Sequence, residues 1–570
     1  MTDVDSGSRT TGSGPEPFRT GVRLEDPGLV RAWTRGATAA LRRERAAIDR
    51  VNVFPVADAD TGTNLYLTFR EGDRAVAGAP PEATGTQLLA TLARAALLGA
   101  RGNSGVILSE WLRGLAVAAR GGAGTAELLT RAATSARSAV ARPADGTILT
   151  AADAAAAAAR ATETSLERDA GPGSVDAAGP LPVVTAAAAA ARTAALASRD
   201  ELDALRAAGV LDAGALGLVL VLDALVVATA AGASTGEPAG VSVVDGSMDA
   251  VNLDQLLDAG APPPVTETPD VGPHGAEGGT GGLELMFVLA APASATAETV
   301  AAELRAALGE VGDSVVVVGG DAGTGTAVWQ AHVHTDHLDQ ALTIAADAAR
   351  EGSLAQVHVR HLEAVHQHEW GVVAATSAPG LAAELAHAGA VVLLTGGLGS
   401  TVEAPTADDV GRAAASTGAR RVLLLGGPDA GAGGEAQLDV DELVAVPTPT
   451  DLHAVVALAA LGTLLPIGLP DELPDGSAAS PAVDARAIVD QALAALTVVE
   501  TDGAAAIDAL RDAAGPATTL VTALLDADVP DGLSDGLAAV LAERAPEAEL
   551  VVLSTGRPGD GVYLGTEEDA

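Results

Sequence analysis

The chain contains no cysteine and no lysine. Without cysteine there are no disulfides, no thiol nucleophile and no Cys-based zinc or iron–sulfur site. Without lysine all 33 basic residues are arginine, which excludes a P-loop lysine, the strand lysine of protein kinases and a Schiff-base lysine. Any phosphoryl chemistry must rest on arginine, backbone N–H groups and metal ions. Aromatic residues make up only 2%, so the cores must be built from Ala, Leu and Val. Positive charge is scarce as well: the net charge is −42. Such a chain repels nucleic acid and anionic membranes and stays soluble. No stretch has 18 uninterrupted apolar residues; "LGLVLVLDALVVATAAGA" is broken by Asp223 and reads as a buried helix of a soluble protein. The first residues are polar and Gly/Ser-rich with no apolar h-region, so 1–20 is expected to be a disordered tail and not a signal peptide. A cytoplasmic location is expected.

At 570 residues the chain exceeds one core. Residues 21–235 read as Ala- and Leu-rich helices separated by short Gly/Asp/Asn/Pro breaks, eight in all, near 28–48, 64–76, 85–98, 104–120, 124–141, 147–163, 183–207 and 215–231. Residues 236–282 are rich in Pro, Gly and acids and read as a linker. From 283 to 365 short β-like runs alternate with helices, a small α/β middle domain. Residues 366–570 continue in βαβ style, which predicts a C-terminal α/β domain with a mainly parallel sheet and a mobile insert at 465–484.

Four loops in the helical region each precede a helix: "DADTGTN", "GARGNSG", "PADGT" and "GVLDAG". In an up-and-down arrangement alternate helices start at one end, which gathers these loops on a single rim. Helix N-termini with glycines that allow close backbone approach suit a polyphosphate. Asp58 and Asp60, one residue apart, offer hard oxygen ligands for Mg²⁺. Each loop alone also reads as an ordinary turn or helix start, and the two acids as helix caps; their alternation is what favours a metal–nucleotide site.

The segments "NVFPVADADTGTN", "LLGARGNSGVILSEWLRG", "DGTILT" and "GVLDAGALGLV" closely resemble the DhaL-type (dihydroxyacetone kinase-like) domain. With α/β regions behind them, nearly the whole chain resembles the catalytic subunits of bacterial fatty acid kinases. The resemblance implies an all-α eight-helix barrel that binds ATP and Mg²⁺, followed by a small α/β middle domain and a C-terminal α/β domain. It places the family's metal acids on Asp58 and Asp60. The spacing does not reproduce the third aspartate of the dihydroxyacetone kinase subunits; Asn52 or Asp49 is the nearest substitute. Nucleotide contacts would fall on Thr61, Gly62, Thr63 and Asn64, on Asn103, Ser104 and Gly105, on Gly146 and Thr147, and on Asp212, Ala213 and Gly214. The implied reaction phosphorylates the carboxylate of a fatty acid that a separate binding protein presents, giving acyl-phosphate. A carboxylate is already a nucleophile at neutral pH, so the enzyme must position it and neutralise phosphate charge. Arg101, inside the glycine loop, and Arg113 are the candidates for that charge. Two other readings stay open: a dihydroxyacetone-type kinase subunit, and a catalytically silent nucleotide-binding scaffold.

Seven of the ten histidines lie between 332 and 368: His332, His334, His337, His358, His361, His366 and His368. Strand alternation puts His332 and His334 on one face, where two imidazoles suit Zn²⁺ or a polar contact surface. The resembled family has a similar "HVHT" segment with a metal-binding cysteine in the first strand of this domain; Glu284 stands at that position. The C-terminal domain shows no catalytic set and is expected to serve docking and homodimerisation, the latter carried over from the family.

Overall fold

The structure is a computed structural model that describes residues 23–170, 179–235, 282–292, 297–321, 326–362, 369–399, 401–426, 440–462 and 485–568. The tail at 1–20, the linker at 236–282 apart from Gly282, and the insert at 465–484 lie outside the described residues.

The first unit is helical: α1 (Pro27–Asp49), α2 (Thr61–Gly78), α3 (Gly85–Leu98), α4 (Gly102–Arg120), α5 (Thr125–Ala139), α6 (Ile148–Ala170), α7 (Leu181–Glu201), the short α8 (Asp203–Ala208) and α9 (Ala213–Thr235). The ends follow from the sequence. Asp26 caps α1, its Oδ1 accepting from Gly28 N and Leu29 N, with Pro27 at the first helical position. Thr84 and Gln87 close a capping box on α3. The single helix expected over 183–207 is broken at Leu202 into α7 and α8. Each long helix packs on its neighbours in sequence, and α9 packs against α1. Alanine at helical spacing (Ala151, Ala155 and Ala159 on α6; Ala187, Ala191 and Ala195 on α7) lets the helices approach closely. By length and composition Leu181–Glu201 and Ala213–Gly232 could cross a membrane, but 78% of the second's most apolar stretch is buried inside the protein, as for a core helix.

The α/β part begins with β1 (Leu283–Pro292), α10 (Ala297–Gly309), β2 (Asp313–Asp321), β3 (Thr326–Thr335), α11 (Leu338–Ala348) and β4 (Ser353–His361). It continues with β5 (Trp370–Thr376), α12 (Ala382–His387), β6 (Ala390–Leu394), α13 (Ala407–Ser416), β7 (Arg421–Leu425), β8 (Glu442–Val446), α14 (Asp451–Leu461) and α15 (Ala485–Ala495). The last elements are β9 (Leu496–Asp502), α16 (Ala506–Ala513), β10 (Thr518–Leu525), α17 (Leu533–Arg544), β11 (Glu549–Ser554) and β12 (Gly561–Glu568).

Two features differ from the sequence reading. The sheet does not stop near 365: β2, β3, β1 and β4 are antiparallel, and the free edge of β4 pairs with β6, so one eight-stranded sheet runs β2-β3-β1-β4-β6-β5-β7-β8. Nor does a parallel sheet continue to the end. The last strands form a separate sheet, β11-β10-β12-β9, in which only β10 and β11 are parallel. Residues 555–560 are too few for a crossover helix, so the chain reverses and β12 enters antiparallel.

The middle strands are buried on both faces. Leu285, Phe287, Leu289 and Trp329 pack with Leu304 and Leu342 of α10 and α11. On the other face Met286, Val316 and Val318 meet Leu97, Ala100 and Val106 of the helical unit. Hydrogen bonds lock this contact: Gln330 Nε2 donates to Ala100 O (3.0 Å) and Ala141 N to Val315 O (3.1 Å). The docking sets the face that bears Glu284, His332, His334 and Arg360 beside the loop ahead of α2.

Candidate active site

Two adjoining cavities lie at the ends of the helices. The larger, ≈ 610 Å³ counted with its open mouth, takes lining from all four loops: Phe54 and Pro55, Asn103 and Ser104, Thr147, and Asp212 and Gly214. Arg142, in the loop before α6, also lines it. The smaller, ≈ 300 Å³, holds Asn52, Asp58, Asp60, Thr61, Asn64 and Gly102, together with Glu284, His334 and Arg360 from the sheet. Pro55, Asn103 and Ser104 border both.

The two acids are not caps. Asp60 stands at the N-cap position of α2 but makes no side-chain cap bond; Asp49 holds that end, accepting from Thr63 N (3.0 Å) and Thr63 Oγ1 (2.7 Å). Asp60 instead pairs with Arg360 Nη2 (2.7 Å), which also lies 3.4 Å from Asp58 Oδ2. Arg360 Nε bonds Glu284 Oε2. Burial and the neighbouring Asp60 raise the Asp58 pKa well above its ordinary value, against the pull of Arg360. Glu284 moves the other way. Burial alone would raise its pKa, yet Arg360 holds it well below the carboxylate range. His332 is not that counter-charge, because burial lowers its own pKa to about 3 and leaves it neutral.

Among the residues implied for the nucleotide, Thr61, Asn64, Asn103, Ser104, Thr147, Asp212 and Gly214 line the cavities, whereas Gly62, Thr63, Gly105, Gly146 and Ala213 shape the loops. A Cβ on Gly62 would lie 2.3 Å from Arg45 O, and one on Gly105 2.3 Å from Thr68 Oγ1. Gly146 takes a positive φ of 79°. Asp212 Oδ2 accepts from Ala215 N (2.6 Å), and burial pushes its pKa up to about 7. Asn52 is committed at both ends of its amide: Nδ2 donates to Asp58 (2.6 Å) and Oδ1 accepts from Thr61 Oγ1 (3.0 Å). As placed, it orients Asp58, and Glu284 is the third carboxylate of this cavity.

Neither arginine expected at the phosphate lines either of these two cavities. Arg113 Nε donates to Glu110 (2.7 Å) on its own helix. Arg101 Nη1 bonds Arg412 O (2.6 Å) and Ser416 Oγ (2.8 Å) of α13. A side chain one residue from a glycine loop need not follow the loop into the cavity. The arginine at the acids is Arg360, which sequence reasoning missed. Its one signal is the alternation in "QVHVRH", which puts Arg360 on the same face of β4 as His358.

The histidines divide. His332 and His334 stand beside Glu284 across β1 and β3, and one potential ligand atom from each of the three lies within 4.8 Å of the others. Glu284 Oε1 lies 3.1 Å from His332 Nδ1, and His332 Nε2 and His334 Nδ1 are buried with no hydrogen-bond partner among the described residues. Burial lowers the His334 pKa as well. Two neutral imidazoles and an ionised carboxylate, gathered in one buried cluster, fit a Zn²⁺-type ion. His358 is half-buried on β4, His361 lies near His387 and His337 precedes α11. His366 and His368 fall outside the described residues.

Two segments of the chain match known protein families. A model of the DAK2 domain matches residues 55–227. A model of the middle domain of FakA-like fatty acid kinases matches residues 281–369. The chain carries a DAK2 domain followed by a FakA-like middle domain. The resemblance read from the four loop motifs is borne out. An uncharacterized protein of Staphylococcus saprophyticus is 40% identical over 129 residues, 21% of this chain and 23% of its own length. Protein YloV of Bacillus subtilis is 46% identical over 74 residues, 13% of each chain. The chain thus spans a quarter or less of these relatives in the matched segments. The crystal structure of the dihydroxyacetone kinase from C. freundii in complex with AMP-PNP and Mg2+ matches 40% of this chain and 37% of its own, at 20% identity and a TM-score of 0.28.

Proposed function

We propose that this FakA-like chain is an ATP-dependent phosphotransferase. Its helical unit serves as the eight-helix nucleotide-binding barrel of the DhaL type, and its acceptor is the carboxylate of a fatty acid presented by a separate binding protein, giving acyl-phosphate. The observation that carries the reading is the convergence of four loops on one cleft that ends at two partly buried carboxylates. The DAK2 match over the same residues supports it.

In this reading the nucleotide occupies the larger cavity, with Asn103 and Ser104 at the junction where its polyphosphate meets the acids. Asp58 and Asp60 would hold Mg²⁺, which supplies positive charge to the phosphate oxygens. Asn52 fixes Asp58 through its Nδ2. Arg360, held on its Nε side by Glu284, turns Nη2 toward the cavity, where it can pair with a phosphate oxygen as it does with Asp60. It does the work that lysine does elsewhere. An acceptor carboxylate is already a nucleophile at neutral pH and needs no general base. Glu284, His332 and His334 would hold Zn²⁺ beside this site. Pairing of two chains as a homodimer belongs to the same proposal.

The test is transfer of labelled phosphate from ATP to a long-chain fatty acid, with and without a fatty-acid-binding protein co-purified with the chain. Acyl-phosphate formed only with that protein supports the reading. Label on glycerone instead would move the acceptor to the dihydroxyacetone type. Tight Mg–ATP binding with no transfer to either would leave a nucleotide-binding scaffold.

A further inference from the structure

Arg101 sits at the joint between the glycine loop and the C-terminal unit. Its backbone N–H donates to Thr68 Oγ1 (3.1 Å) on α2, and the three residues after it, Gly102, Asn103 and Ser104, line the acid cavity. The side chain runs the other way, to the last turn of α13. That turn belongs to the C-terminal unit, yet Ala415 packs into the core of the helical unit. A guanidinium at a helix C-terminus meets the negative end of its dipole; the Arg412 carbonyl it reaches also accepts from Ser416 Oγ (2.9 Å).

The far end of α13 is fixed as well. Thr406 and Asp409 form a capping box, and the segment just before it pairs with the start of β4: Leu354 N donates to Thr401 O (2.8 Å) and Glu403 N to Leu354 O (2.7 Å). β4 ends in Arg360 and His361. So α13 bears on the acid site twice, on the glycine loop through Arg101 and on the Arg360 strand through Leu354. Arg101 is 5% exposed, and its Nε and Nη2 have no hydrogen-bond partner among the described residues. A buried guanidinium with unmade bonds is costly, which suits a side chain that fixes position better than one that adds stability.

We infer that Arg101 is a positioning residue, through which docking of α13 holds the glycine loop in its nucleotide-binding form. The C-terminal unit thereby sets the nucleotide affinity of a site it does not line. The inference rests on the nucleotide reading above. Its test is binding of Mg²⁺ with AMP-PNP to the full chain by calorimetry, with thermal melting to check the fold. Arg101→Gln should weaken binding about tenfold, the loss expected for a hydrogen-bonded charge. Ser416→Ala, far from either cavity, should weaken it about threefold, and Arg101→Lys should fall between wild type and Arg101→Gln. The double variant should bind no worse than Arg101→Gln alone, because both changes remove one contact. Arg412→Ala keeps the backbone carbonyl and should bind as wild type does.

Unchanged affinity in Ser416→Ala and Arg101→Gln overturns the coupling. An equal loss in Arg412→Ala overturns it too, since a loosened interface would then explain everything. If Arg101→Gln does not fold, Ser416→Ala alone decides. Failure of the wild-type chain to bind Mg–AMP-PNP refutes the nucleotide reading itself, and this inference with it.

Discussion

Replacing Arg360 by methionine isolates the charge balance of the site. The guanidinium contacts Glu284 and Asp60 (2.7 Å) and lies 3.4 Å from Asp58. All four side chains are shielded from water, at 8%, 1%, 13% and 9% exposure for Arg360, Glu284, Asp60 and Asp58. Methionine keeps most of the volume and removes the guanidinium that binds these acids together. Breaking a buried ion pair from one side costs about 3–5 kcal/mol. Each kcal/mol shifts the melting of a unit of this size by roughly 2–4 °C, so the first transition should drop by about 6–20 °C in EDTA at neutral pH. Magnesium should then act differently on the two proteins. In the variant, a cation shared by Asp58 and Asp60 replaces the lost charge, and occupancy near a hundredfold over Kd restores about 2.7 kcal/mol. In wild type the cation must compete with Arg360, so its gain is smaller. The assay is scanning calorimetry of both chains in EDTA and in millimolar Mg²⁺. A variant that melts within about 2 °C of wild type in EDTA, or a magnesium gain no larger than that of wild type, would refute the argument.

Asp212→Asn tests a buried acid by pH. The Asp212 pKa rises from 3.8 to about 7 on folding, so between those values the unfolded chain is ionised while the folded chain keeps its proton. Rising pH therefore erodes wild-type stability across that window, by up to about 4 kcal/mol; the melting temperature of Asp212→Asn should gain on wild type from pH 4 to 7, and a constant gap would contradict the shift. Gly102→Ala places a Cβ 2.4 Å from Asn64 Nδ2 at a φ of +53°. It should lower the melting temperature by a few degrees, for roughly 1 kcal/mol of strain, but weaken Mg–AMP-PNP binding about tenfold, since Asn64 lines the acid cavity. Added Zn²⁺ should raise the wild-type melting temperature through Glu284, His332 and His334, by about 2.7 kcal/mol at a hundredfold excess over Kd; an equal rise in the His332→Gln, His334→Gln double variant would place the metal elsewhere.

What was legible in the sequence was local. The four loops ahead of α2, α4, α6 and α9 announce themselves by Gly and Asp at helix starts, and alternation of helix direction is enough to gather them. The helix starts near 28 and 85 were legible too, and they rest on Asp26 and Thr84, whose side chains act on backbone groups two or three residues away. Side-chain direction at a junction was not. Arg101 and Ser104 are three residues apart, yet one faces α13 and the other the nucleotide cleft. Partners distant in sequence were not legible either. Arg360 and Asp58 are brought together only when Met286, Val316 and Val318 bury against Leu97, Ala100 and Val106. The joined sheet was hidden because edge pairing depends on which strand is left open, and His358 and Val359 show no mark of the β6 strand that pairs with them.

The absence of lysine now has a structural consequence. In the proposed reading the helical domain must bring positive charge to a polyphosphate and to the two acids, and of the residues that line the larger cavity Arg142 is the one arginine. The charge at Asp58 and Asp60 comes from β4, outside the DAK2 segment 55–227. Glu284 on β1 fixes that arginine, and the same carboxylate presents its other oxygen to His332 and His334. One buried chain of contacts thus runs from the histidines through Glu284 and Arg360 to the acids of the helical unit. Separated from the sheet, the helical unit would keep its loops but leave two crowded carboxylates without their counter-charge. The helical and middle units therefore form one functional site, and expression of residues 21–235 alone should give a fold with weak nucleotide affinity, recoverable only when the middle strands are supplied.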